Sequence, residues 1–302
     1  MDQVRRIVDA VLYEGYILWP YRKSALKNQR RFAFGTLYPP GGAEPSAMQS
    51  QCLLEGDDAA RVDVSVRFLQ LVDRQVYRGD RPVEELEVDG QRHLSWEEAV
   101  EREITMSSRG RARIDIPAGK EREDIGSGAA VVRSWGRLEG TVDVRSERRR
   151  SGLSRLSVRV ENTSGCELRS THTVLRARGG SFVSLTDPPE GLREEAEACE
   201  NIGTWPVLAG DEGDSSVVLS SPIILPDHPQ IAPESPGDLF DATEIDQLLV
   251  LNILSLTDEE KREMRAGDPR AREILDRTER LTEEDLMRLH GAVREFGLVR
   301  RP

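Results

Sequence analysis

The chain has 302 residues, of which 37% are hydrophobic and 32% charged, and its formal net charge is −12. That length supplies a core for one large domain, or for a domain and a satellite, and the composition lies outside the disordered range. The negative charge argues against non-specific nucleic-acid binding by the molecule as a whole, because phosphates would be repelled.

The first predicted element is a helix. Val4, Ile7, Val8, Val11 and Leu12 recur at helical spacing behind a capping Asp2, and Gly15 and Pro20 limit the helix. Asp9 and Glu14 interrupt this apolar stretch, and no small-residue cleavage site follows. Cys52, Cys166 and Cys199 are odd in number and widely spaced, unlike the dense even set of a small secreted scaffold. The chain also lacks any run of about 18 uncharged apolar residues. A cytoplasmic protein without a membrane span is expected.

Residues 13–38 stand apart from the rest. Tyr13, Tyr16, Trp19, Tyr21, Phe32, Phe34 and Tyr38 crowd into this stretch of an aromatic-poor chain. Arg22, Lys23, Lys27, Arg30 and Arg31 sit among them, with no acidic residue after Glu14. Aromatics interleaved with cations can stack bases, or they can concentrate binding energy at a protein interface. They can equally form a layer of the core whose cations pair with the protein's own carboxylates. Tyr16, Trp19, Tyr21, Arg22, Lys23, Lys27, Arg30 and Arg31 are the candidate partner-binding residues, and a protein ranks well ahead of nucleic acid as that partner.

From about 60 to 235 the signal is strand. Val62, Val64, Val66 and Phe68 alternate with polar residues, as do Ile114 and Ile116, and Leu156, Val158 and Val160. Val174, Phe182 to Leu185, and Val217 to Ile224 continue the theme, with Gly179 and Gly180 read as a hairpin turn and residues 95–100 as a short helical insertion. Short alternating strands between turn residues predict an antiparallel sandwich or barrel. Prolines 226, 229, 233 and 236, followed by Gly237 and Asp238, mark a loop and the best candidate boundary. Beyond it capping signals at Asp241, Thr257, Asp268 and Thr282 predict short helices. The expected fold is α+β: an N-terminal helix, a mainly antiparallel β-sandwich or barrel-like core over 1–240, and a helical C-terminal tail over 241–302.

Candidate chemistry is sparse. Neither C-x-x-C nor H-E-x-x-H occurs, so no metal site and no cofactor are expected, and the cysteines read as small buried hydrophobes. Gly126-Ser127-Gly128 lacks the lysine and third glycine of phosphate-binding loops. Asp227 and His228 could pair as an oriented base with Glu234 nearby, which makes them the alternative ligand site. No nucleophile is tied to them, and a proline-stiffened linker explains the same residues.

The run Leu12-Tyr13-Glu14-Gly15-Tyr16-Ile17-Leu18-Trp19-Pro20-Tyr21-Arg22, then Ser24 to Asn28 and Phe34-Gly35, resembles a family of uncharacterised proteins encoded beside nickel–iron hydrogenase genes in actinobacteria and other aerobic bacteria. Asp187-Pro188-Pro189-Glu190 and the segment from Ser221 to Asp241 are similar as well. The resemblance implies a supporting role in hydrogenase assembly and supplies no catalytic residues. The expected function is thus a non-enzymatic accessory or assembly protein that contacts a hydrogenase subunit or maturation factor. The alternative is an enzyme or small-ligand-binding protein that uses the strand-rich domain, with a site near the 226–241 loop.

Overall fold

The computed structural model describes residues 3–12, 34–107 and 109–230, and separate positions between 258 and 280. Gln3–Leu12 form helix α1. Among the described residues thirteen strands follow, β1 to β13, with a short helix α2 (Arg193–Glu197) between β11 and β12. Every strand pairing is antiparallel. Eleven strands form one sheet, curled into a half-barrel, and β3 (Glu85–Val88) and β4 (Gln91–Leu94) make a separate pair. No helix among the described residues is long and apolar enough to cross a membrane.

The organising strand is β1 (Ala47–Arg78), 32 residues long. Its first part pairs with β10 (Leu153–Asn162) and its middle with β11 (Arg169–Phe182). Further along it pairs with β5 (Trp96–Met106), β8 (Ala129–Trp135) and β2 (Arg81–Val83). One end of the sheet runs from β11 through β13 (Val217–Ser221) to β12 (Trp205–Leu208). The other runs from β10 through β9 (Leu138–Arg150) to β6 (Gly110–Ile116), and β7 (Gly119–Gly126) flanks β8.

The alternation in β1 divides its residues between two faces. Val62, Val64, Val66 and Phe68 enter the main core with Val142, Val158 and Leu175. Part of the opposite face is covered by α1. Ile7 and Val8 pack on Val174, Val207 and Leu219, while Leu12 packs on Leu69 beside Leu71 and Ala99. Burying each of these large apolar side chains contributes about 1.5–3 kcal/mol.

Two expected local features are corrected. Residues 96–100 are strand rather than helix, because β5 is held in register against β1 from Trp96↔Arg74 to Met106↔Val64. Gly179 and Gly180 lie inside β11 rather than in a hairpin turn. Gly180 pairs with Gly56 where β1 bulges between Gly56 and Arg61, and a Cβ on Gly180 would stand 2.7 Å from the Glu55 carbonyl oxygen. The boundary expected at 240/241 lies outside the described residues. Of the tail, Lys261, Arg265, Arg272 and Leu275 are helical, Leu275 is fully buried, and Arg265 pairs with Asp276 and Glu279.

Candidate functional site

Strand β12 is the terminal strand of its end of the sheet, and Asp227 and His228 lie against it. The Leu208 N–H donates to Asp227 Oδ1 at 2.8 Å, and the His228 N–H donates to the Leu208 carbonyl at 2.6 Å. The second Asp227 oxygen accepts from Ser184 Oγ at 2.5 Å. His228 adopts φ +52° and places Nδ1 2.9 Å from the Gly210 carbonyl. Both Asp227 carboxylate oxygens are therefore engaged, and the imidazole is tied to a different loop. The two residues do not form an oriented base. They close a strand edge, and Pro206, which has no N–H, blunts the same strand. Glu234 lies outside the described residues.

A second polar cluster lies on the face of β1 that α1 covers. Arg67 Nη2 contacts Asp9 Oδ1 of α1 at 2.5 Å and Glu101 Oε2 of β5 at 2.9 Å. Burial works against the guanidinium charge, but hydrogen bonds and charges from Asp9 and Glu101 outweigh it and raise the Arg67 pKa. His172 is the register partner of Arg67 on β11 and is fully buried. Its Nδ1 lies 2.7 Å from the Ser170 carbonyl, so that nitrogen carries the proton and donates. Among the described residues, His172 Nε2 and Ser170 Oγ have no hydrogen-bond partner. Burial, with Arg67 opposite, lowers the His172 pKa to about 4 and keeps the ring neutral near neutral pH. The cluster fastens α1 to the sheet across a separation of 58 residues. No sequence motif connects these positions.

A third cluster surrounds Arg74. It donates to the Leu94 carbonyl and pairs with Glu98 at 3.2 Å, and Arg133 bridges Glu98 and Glu123 at 2.8 Å each. Burial lowers the Arg74 pKa, and the charges of Arg133 and Arg272 add to that effect against Glu98 and Glu123. Burial and the Arg74 charge also lower the His93 pKa.

Four large apolar side chains are exposed among the described residues. Trp205 is 45% and Ile224 74% exposed, with Ile202 at 44% and Phe34 at 38%. Trp205 is the register partner of Ser221, and the Pro222 ring abuts Gly35, the neighbour of Phe34. Trp205 shares its strand face with Val207, so it stands on the side of the sheet that α1 covers.

The remaining candidates separate. Tyr16, Trp19, Tyr21, Arg22, Lys23, Lys27, Arg30 and Arg31 lie outside the described residues, whereas Phe34 and Tyr38 close the same aromatic stretch within them. Gly126, Ser127 and Gly128 have φ values of +92°, +52° and +72° and form the β7–β8 turn. Cys52 is fully buried, and Cys166 and Cys199 are half-buried. Cys166 packs against Gly136 and the main core, on the opposite side of the sheet from His172. Among the described residues no three His, Cys, Asp or Glu side chains are grouped to hold a metal ion. No protein-family model matches this chain, and no curated protein matches it.

Proposed function

We propose that this chain is a protein-binding accessory factor whose contact face is the corner formed by Phe34, Ile202, Trp205 and Ile224. The observation that carries the reading is the exposure of Trp205 and Ile224 on neighbouring segments of one sheet end. Large apolar side chains gathered on a surface mark interaction sites, and Trp is prominent among the residues that dominate binding energy. Phe34 joins this corner to the basic aromatic stretch, whose arginines and lysines suit an acidic rim on the partner. The resemblance to proteins encoded beside nickel–iron hydrogenase genes supports a hydrogenase subunit or maturation factor as that partner. Asp227 and His228 serve as an edge clamp in this reading, which leaves the small-ligand alternative without its oriented base.

Affinity purification of the tagged full-length chain from its host tests this. Recovery of a hydrogenase subunit or maturation factor is expected with the wild type. It should fall at least tenfold with Trp205→Ser/Ile224→Ser and with Arg22→Glu/Arg30→Glu, since loss of a central aromatic anchor costs about 2 kcal/mol or more. Equal recovery with the Trp205→Ser/Ile224→Ser variant would refute the assigned face, and absence of both protein classes from the wild-type eluate would refute the assigned partner.

A further inference from the structure

The main path of the sheet ends in two terminal strands, and among the described residues only one of them is closed. On β12 the Leu208 N–H and carbonyl are taken by Asp227 and His228, and Pro206 offers no donor. Strand β6 pairs with β9 on one side and with no other described strand. An unpaired edge is a template for another strand unless proline, charge on both faces or a cover blunts it. β6 has no proline, and its core-side residues are Ala112, Ile114 and Ile116. Ile114 is buried, but Ala112 and Ile116 are only half-buried against the main core, like Ile104 and Met106 of β5. The apolar rim of the core therefore remains partly exposed along this edge.

The outer side of β6 presents Arg111, Arg113 and Asp115, all exposed; within the chain Asp115 accepts from Arg137 at 2.9 Å, which leaves its second carboxylate oxygen for a cation across the edge, and Arg111 donates to Thr141. Two copies pairing antiparallel must keep core side against core side, which permits only registers of matching parity. A register centred on Ala112 sets Arg111 opposite Arg113, and one centred on Arg113 sets that arginine opposite itself. A register centred on Ile114 sets Arg113 opposite Asp115 twice, Ala112 opposite Ile116 twice, and no like charges together. The other edges pair with themselves less readily. In β5 every register centred from Glu97 to Glu103, and in β7 every register centred from Lys120 to Asp124, places like charges opposite each other.

We propose that β6 is a homotypic interface, through which two copies of this chain join their sheets antiparallel about Ile114. The pairing continues the hydrogen-bond ladder, covers Ala112 and Ile116, and exchanges two Arg113–Asp115 ion pairs.

Light scattering on the full-length chain tests the proposal through a charge exchange. The wild type is expected to be a dimer. Arg113→Asp sets four carboxylates together and Asp115→Arg four guanidiniums, so each single variant should be a monomer. An equimolar mixture of the two should form heterodimers, because each then supplies the charge that the other needs. The double variant Arg113→Asp/Asp115→Arg should dimerise again by itself, and circular dichroism reads the strand content of each form. A monomeric wild type, single variants that remain dimers, or a mixture and a double variant that both remain monomers would overturn the interface.

Discussion

His172 makes the protein sensitive to acid in a defined window. Its ring is neutral and fully buried, with a pKa lowered from 6.5 to about 4, chiefly by burial. In the unfolded chain the ring takes up a proton near its ordinary pKa, so the unfolded state binds more protons between these two values. Stability should then fall as pH drops from about 6.5 towards 4, by up to about 1.4 kcal/mol per unit. Urea unfolding across that range measures the slope. His172→Asn retains a donor for the Ser170 carbonyl and should flatten the slope, and an unchanged slope would assign the acid sensitivity elsewhere. Asp227 has a structural task of comparable weight. Asp227→Ala leaves the Leu208 N–H and the Ser184 hydroxyl without their acceptor, which should cost about 1–3 kcal/mol. The Cys52 and Cys199 thiols should react sluggishly at neutral pH, since burial drives the Cys52 pKa upward and pushes that of Cys199 up to about 11.

Alternation along the chain identifies β6 and β10, which set a core-facing row against a more exposed one, and part of β1, whereas β13 is buried on both faces and shows as a short apolar run. It fails for β5 and β7, where the pattern of burial is uneven or mostly exposed. The glutamates of β5 suggest a helix, and pairing with β1 overrides that propensity. Of the candidate site, the adjacency of Asp227 and His228 is legible in sequence, but their partners Ser184, Leu208 and Gly210 are not. The Arg67 cluster is hidden for the same reason, as its members come from α1, β1, β5 and β11. At this scale α1 is fastened by Asp9 as well as by its apolar face. Asp9→Asn withdraws one charge from a buried guanidinium and should lower stability by about 1–3 kcal/mol. Faster amide exchange in residues 3–12 than in β1 should accompany the loss. A stability within about 0.3 kcal/mol of the wild type would show that apolar packing alone holds the helix.

The molecule as a whole is an asymmetric sheet. One terminal strand is closed by a loop, and the corner beside it exposes Trp205 and Ile224. The other terminal strand pairs with no further described strand and carries the charge pattern of the proposed homotypic edge. A partner face at one end and a homotypic edge at the other would allow both contacts at once. Hydrogen exchange on the co-purified complex, set against the free protein, tests the central assignment most directly. Protection is expected at residues 202–205 and 222–225, with β7 unchanged. Unaltered exchange in those two segments, with protection gathered elsewhere on the sheet, would contradict the account.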